Sequence, residues 1–350
     1  MKIVVSGYYG FSNTGDEAIL KVLNSYLKDK EITVLSANPQ KTKKIYSLNS
    51  IYRYDLLKIF KEFKNSQILL SGGGGLIQDK TSLRSLLYYL SIIYFAKFLN
   101  LKTIVFSQSI GPLTKKIGKF LTRKILNKVD IITVRDKNSL EILKELKIEK
   151  PEIFLTADLG LLLKEAEEKK IEEIFKKENI SQNSPLLGIV IRPWKELKIE
   201  EIVKFLKIFK KEYKNWEVVL IPFQYGEDYS LLKKIKKEIP EVQIIKNEYL
   251  PEEILGIIKK MNFLIGMRLH SLIFASIENV PFIGIIYDKK VEEFLKEVEV
   301  EGINLEELNS EKIFMLVKEK LGKIEEIKKN LKIKTEILKK RAEENLKFLI

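Results

Sequence analysis

The chain of 350 residues contains no cysteine and a single histidine. Without thiols there is no disulfide, no thiolate nucleophile and no Cys-based metal site, and the composition fits a reducing compartment. One imidazole excludes a His-cluster zinc site, while an all-carboxylate Mg²⁺ site stays open. Long apolar runs are also absent. The most continuously apolar charge-free stretch, LLYYLSIIYFA at residues 86–96, is too short to span a bilayer and predicts a buried helix. Its alternative reading is a Tyr-rich face that touches a membrane. The N-terminus, MKIVVSGYYGFSNTGDE, begins as a strand and shows no signal-peptide core followed by a cleavage site, so a cytoplasmic location is expected. No compact Arg–aromatic stripe or nucleic-acid motif appears, and nucleic acid is not an expected partner.

What is present is a chain 45% hydrophobic, long enough for two cores, with a net charge of +14. Lys and Glu interleave along stretches such as KEAEEKKIEEIFKKEN, which predicts solvated helix faces of a thermophile-like surface for most of this charge. Together with the Tyr-rich stretch, the basic excess leaves peripheral contact with an anionic membrane open.

Short β-branched runs alternate with amphipathic helical stretches almost throughout, which predicts parallel α/β architecture. KIVVSG, EITVLSA, SQILLSG, KTIVFSQ, DIITVRD and EIFLTAD are the expected strands of the first half. LLGIVIRP, WEVVLIPF, VQIIKN, NFLIGM and PFIGIIYD restart the rhythm in the second. The expected organisation is two Rossmann-like domains facing a cleft, over 1–178 and 185–305, with C-terminal helices over 306–350. In such sheets ligands sit beyond the carboxyl ends of strands, so unusual residues should collect there.

They do. The first strand ends in SGYYGFSNTGDEAIL, where Gly10 and Gly15 have P-loop spacing but Asp16-Glu17 stand where that loop needs Lys and Ser/Thr. The dinucleotide fingerprint fails on spacing as well. Asp16 near a helix start remains a candidate, against the plainer reading that Asp16 and Glu17 complement the helix dipole. Gly72, Gly73, Gly74 and Gly75 follow a buried strand; the run suggests a site wall, with a tight chain crossing as the structural alternative. Arg135 in TVRD and Arg192 in VIRPW end two further strands, and Arg135 is expected to point into the cleft. In IGMRLHSLIF, Arg268 and His270 fall at a strand–helix junction, where backbone N–H groups and the dipole favour an anion. A guanidinium there supplies bidentate contacts and an imidazole delivers a proton near neutral pH. Ser271 is grouped with them as a substrate-binding candidate. A capping or core histidine is the competing view.

Taken in order, GYYGFSNTGDEAIL, SGGGGLIQD, SQSIGPL, RDKNSLEILKELKI, TADLG, RLHSLIFA and PFIGIIYDKKV resemble the polysaccharide pyruvyl transferase family over roughly the first 290 residues. The resemblance implies a GT-B-like fold and transfer of the enolpyruvyl group of phosphoenolpyruvate to a sugar, in one branch a lipid-linked cell-wall precursor. Phosphoenolpyruvate is then a co-substrate and no cofactor is needed. It implies Arg268 and His270 as phosphoenolpyruvate ligands with His270 the general acid, Arg135 as a second anion clamp, Lys290 as a third, and Asp16 as a candidate base toward the sugar. Relatives tend to have Pro where this chain has Lys289, which leaves Lys289 and Lys290 as alternatives for the substrate-facing cation. By the same resemblance the first domain is the acceptor side and the second the donor side. Competing functions are a nucleotide-sugar glycosyltransferase of the same fold and a non-catalytic binder of anionic glycans.

Overall fold

A computed structural model describes residues 1–349, divided into two compact units: Met1–Leu163 with the chain from Leu338 onward, and Lys164–Ile337. The first unit contains strands β1 (Lys2–Tyr9), β2 (Glu31–Ser36), β3 (Asn49–Tyr52), β4 (Ile68–Ile77), β5 (Lys102–Ile110), β6 (Ile131–Val134) and β7 (Glu152–Leu155). Its crossovers are α1 (Thr14–Tyr26), α2 (Pro39–Tyr46), α3 (Leu56–Lys64), α4 (Leu83–Phe98), α5 (Lys116–Leu126) and α6 (Lys137–Glu145). All strands are parallel in the order β3-β2-β1-β4-β5-β6-β7, so the direction of travel across the sheet reverses between β1 and β4. Ile3, Val4 and Val5 of β1 are fully buried in succession, as expected of a strand covered on both faces.

In the second unit, α7 (Glu168–Glu178) precedes β8 (Leu186–Val190), β9 (Glu217–Leu220), β10 (Gln243–Ile244), β11 (Phe263–Gly266), β12 (Phe282–Ile286) and β13 (Gly302–Asn304). The crossovers are α8 (Ile199–Glu212), α9 (Tyr225–Glu238), α10 (Pro251–Lys259), α11 (Leu269–Ile277) and α12 (Lys289–Val298), followed by α13 (Ser310–Leu321) and α14 (Ile324–Glu343). The order is β10-β9-β8-β11-β12-β13, again all parallel, with the reversal between β8 and β11. Both sheets thus repeat the doubly wound Rossmann order.

The expected boundary at 178/185 moves to Leu163/Lys164. Helix α7 belongs to the second unit because Ile171 packs where a side chain on Gly256 of α10 would sit, and Ala166 N–H donates to the Glu252 carbonyl at 3.0 Å. The C-terminal helices are not a separate body either. Ile313 and Val317 of α13 join the second core, while Asn345 inserts into the first unit, bonded to Thr133, Thr156 and Ala157. The 86–96 stretch lies in α4, but only one side of that helix is buried; Leu87, Tyr94 and Phe95 are exposed. No helix among the described residues is long and apolar enough to cross a membrane.

Candidate functional site

In the second unit the register pairs Val190 of β8 with Gly266 of β11, and Gly266 with Gly284 of β12. Arg192, Arg268 and Tyr287 therefore emerge side by side from three adjacent strands at the switch point. Arg268 is the N-cap residue of α11 but makes no side-chain cap, and His270 is half-buried in the first turn. The helix N-terminus is left without a capping side chain, which suits an anion.

The Arg268 guanidinium itself turns inward. Its Nε donates to Asp228 Oδ2 at 2.7 Å and its Nη2 to Oδ1 at 2.6 Å, with both residues buried. Asp228 Oδ2 also accepts from the N–H groups of Phe223 and Gln224, at 3.0 and 2.9 Å. The charge expected to clamp an anion is thus neutralised by a carboxylate, and Arg268 is corrected from a free anion ligand to a residue that ties α11 to α9. Ser271 is corrected for a similar reason: its buried hydroxyl donates to the Arg268 carbonyl at 2.6 Å.

Arg192 differs. Its Nε is buried with no hydrogen-bond partner, and its Cζ lies 5.3 Å from the Trp194 ring and 5.7 Å from the Tyr287 ring. Trp194 and Tyr287 meet edge to face at 4.8 Å. Burial opposes ionisation of the Tyr287 phenol, yet the charges of Lys290 and Arg192, with a hydrogen bond from Arg192, outweigh it and hold its pKa below the ordinary value. Lys290 and Arg192 thus place positive charge about the phenol, against the single opposing carboxylate of Asp288. Of the two adjacent lysines, Lys289 is exposed and paired with Glu292 and Glu293, while the half-buried Lys290 acts on Tyr287.

In the first unit, Asn13 caps α1 by accepting from Gly15 and Asp16 N–H. Glu17, not singled out by the motif, is buried and accepts from Gly10 N–H and Tyr46 Oη, each at 2.8 Å. Burial raises its pKa, and those two hydrogen bonds only partly counter this. The glycine run lies within β4 rather than after it. Gly73 and Gly74 have φ of +69° and +73°; a Cβ on Gly73 would meet Ile19, and one on Gly74 would lie 2.6 Å from Asp16 Oδ1. The bare backbone lets α1 approach and seats Asp16, which is the tight-crossing reading. Only Gly75 faces open space.

Arg135 is buried and ion-paired with Asp158, and its Nε donates to Ser109 Oγ at 2.6 Å. Ser109 in turn donates to Asp136, the cap of α6. The expected second anion clamp is thus an internal strut. Sequence reasoning missed Arg53, which is buried under four rings, with Cζ 4.1 Å from that of Tyr88 and 5.1 to 5.3 Å from those of Phe11, Tyr54 and Tyr89. Its Nε has no hydrogen-bond partner. The one available signal was the clustering of aromatics around it in IYRYD and LLYYL.

Two parallel sheets of Rossmann order, each with its polar residues at the switch point, define a two-domain α/β protein of the GT-B-like class. HepE of Anabaena, solved with UDP-glucose, is similar at a TM-score of 0.67 over 100% of this chain and 99% of its own, with 9% identity. S. aureus MnaA, solved with UDP, gives 0.67 at 11% identity over 95% and 90% of the two chains. A UDP-GlcNAc 2-epimerase from Neisseria meningitidis, bound to UDP-GlcNAc, gives 0.62 at 12% over 98% and 100%. At such identities these likenesses show the fold alone. No curated protein sequence matches the chain. A sequence profile described as polysaccharide pyruvyl transferase matches residues 13–289. The chain belongs to the polysaccharide pyruvyl transferase family, and is accordingly a transferase that acts on polysaccharide.

Proposed function

We propose that this transferase moves the enolpyruvyl group of phosphoenolpyruvate onto two hydroxyls of a sugar in a lipid-linked cell-wall precursor, forming a pyruvate ketal and releasing phosphate. The observation that carries the reading is the placement of Arg192 and Lys290 around Tyr287, one strand away from the helix start that bears His270 and has no side-chain cap. A small molecule with both a phosphate and a carboxylate fits such a place. The second unit is then the donor side and the first the acceptor side, with Asp16 the candidate base and the stacked Tyr8–Phe11 pair, centroids 4.0 Å apart, a surface suited to a sugar face.

The chemistry is an addition followed by an exchange. His270 delivers a proton to the methylene carbon while the first sugar hydroxyl bonds to the adjacent carbon and loses its proton to a base. The carbon–oxygen bond to phosphate then breaks, phosphate leaving with the electron pair. The second hydroxyl bonds to the same carbon and gives up its proton. The carbon skeleton changes oxidation state at neither stage overall, so no redox cofactor is consumed. Arg192 and Lys290 stabilise the charge that gathers on the departing phosphate, and Arg268 holds α11 in position.

The deciding experiment is phosphate release from phosphoenolpyruvate with a panel of lipid-linked and synthetic amino-sugar acceptors. Release that depends on acceptor supports the reading. Thermal stabilisation by UDP- or GDP-sugars but not by phosphoenolpyruvate, with no release, would move the assignment to glycosyl transfer. Strongly salt-dependent glycan binding with neither would leave a non-catalytic binder.

A further inference from the structure

We propose that the layer formed by α3, α4 and α5 docks on the surface of an anionic lipid bilayer. The inference does not rest on the pyruvyl-transfer reading; it rests on where exposed apolar side chains and unbalanced charge coincide.

Residues 53–129 hold 14 Lys and Arg against 3 Asp and Glu, a net +11 out of the chain's +14, although of these cations Arg53 is buried and Lys97 is paired with Asp130 just beyond the segment. Under a quarter of the sequence therefore carries most of the basic excess. The same segment holds most of the exposed apolar residues: of 16 large hydrophobic side chains exposed among the described residues, 10 fall between Tyr54 and Phe120. A solvated surface would separate these properties, not superimpose them.

The three helices share one face of the first sheet. Ile59 and Phe63 of α3, Leu90 and Ile93 of α4, and Leu126 of α5 pack into a single cluster with Val4, Leu69, Val105 and Ile132, the inward residues of their strands. Their other sides carry Leu57 and Phe60 on α3, Leu87 and Phe98 on α4, and Ile117 and Phe120 on α5, exposed by 86, 42, 40, 68, 50 and 59%. Cations stand between these side chains. Lys64 Nζ lies 4.8 Å from the Phe60 ring, and Lys128 Nζ 5.2 Å from the Tyr94 ring. Such lysines can lay their stems on apolar surface and reach headgroups with the ammonium.

The three acids in the segment do not oppose an anionic partner. Asp55 is paired with Lys58. Glu62 is held by Thr33 and Lys2. Asp79 is buried, accepting from Thr114 and the Lys115 N–H.

A second copy of the chain would set this positive face against the same positive face. An acidic soluble protein would satisfy the charge but not the spread of exposed Leu, Phe and Tyr over three helices. A bilayer interface satisfies both, since apolar side chains enter the headgroup–acyl boundary while Lys and Arg meet anionic lipid and Tyr sits at that level.

The full-length protein should co-sediment with vesicles of equal parts phosphatidylcholine and phosphatidylglycerol, but not with phosphatidylcholine alone, and high salt should release it. Leu57→Ser/Phe120→Ser and Lys116→Glu/Lys119→Glu should each weaken binding by about tenfold or more. Control pairs on the exposed side of α14, Ile333→Ser/Ile337→Ser and Lys329→Glu/Lys332→Glu, should leave it intact. All substitutions are at exposed positions, so circular dichroism should be unchanged. Absence of vesicle binding, or equal loss from the control pairs, overturns the proposal. So does a protein that sediments as a dimer and is made monomeric by Leu57→Ser/Phe120→Ser, since the face would then join two copies. Binding is read without turnover, so failure here leaves the phosphate-release result standing, and the reverse.

Discussion

Arg268 and Asp228 form a closed bidentate pair, Nε to Oδ2 at 2.7 Å and Nη2 to Oδ1 at 2.6 Å, with the aspartate fully buried. Removing Asp228 leaves the buried guanidinium with only the exposed Glu227 carboxylate, 3.7 Å away. Asp228→Asn should therefore cost about 3–5 kcal/mol in unfolding free energy, read by urea denaturation. The double change Arg268→Met/Asp228→Leu should recover only part of that, because Phe223 and Gln224 N–H lose their acceptor.

Arg192 should behave as a ligand group rather than a structural one. Arg192→Met should weaken phosphoenolpyruvate binding by about ten- to a hundredfold in calorimetry, with little change in melting temperature. Lysine should not rescue it, since the planar fork is lost. The same variant, and Lys290→Met, should raise the Tyr287 pKa toward the ordinary phenol value in an ultraviolet titration, because each removes a charge that now lowers it.

His270→Gln should lower kcat by about a hundredfold to ten-thousandfold, while the dissociation constant for phosphoenolpyruvate moves far less. An unchanged kcat would remove the imidazole from the proton transfer.

Glu178, at the end of α7, accepts from Lys246 N–H at 2.8 Å, Asn247 N–H at 3.1 Å, and the Asn247 amide and Tyr249 hydroxyl, each at 2.7 Å. Burial opposes its charge, but these donors outweigh it and hold the pKa below 4.5. A depressed carboxylate contributes stability that is present above its unfolded pKa and is lost as pH falls through the folded one. Glu178→Ala should thus cost about 2–4 kcal/mol at neutral pH. The gap from the parent protein should close on acidification below about pH 4.

Gly74 and Gly75 should separate the two readings of the glycine run. Gly74→Ala places a Cβ against Asp16 at a left-handed φ and should cost about 1–3 kcal/mol. Gly75→Ala meets nothing and should be near neutral in stability. If Gly75→Ala also leaves acceptor use unchanged, the run serves packing alone.

The repeated parallel fold was legible because β-branched runs and amphipathic stretches alternate with little interference. The edge strands β3 and β13 were not, since NSIY and GIN carry too little apolar pattern to register. The strand–helix junction at Arg268 and His270 was read correctly, but spacing says nothing about which way a guanidinium turns. Arg135 and Arg268 look like Arg192 in sequence; only their contacts to Asp158 and Asp228, 23 and 40 residues away in the chain, distinguish them. The concentration of positive charge in residues 53–129 was countable from the sequence and was masked by reading composition over the whole chain.

The return of the chain into the first unit has a practical corollary. Asn345 fills hydrogen-bonding positions at Thr133, Thr156 and Ala157, and Arg341 donates to the Thr156 carbonyl at 2.7 Å. An isolated N-terminal fragment ending near Leu163 would thus expose a slot that its own continuous sequence cannot refill. Removing the residues from Leu338 onward would likewise be felt first in the first unit.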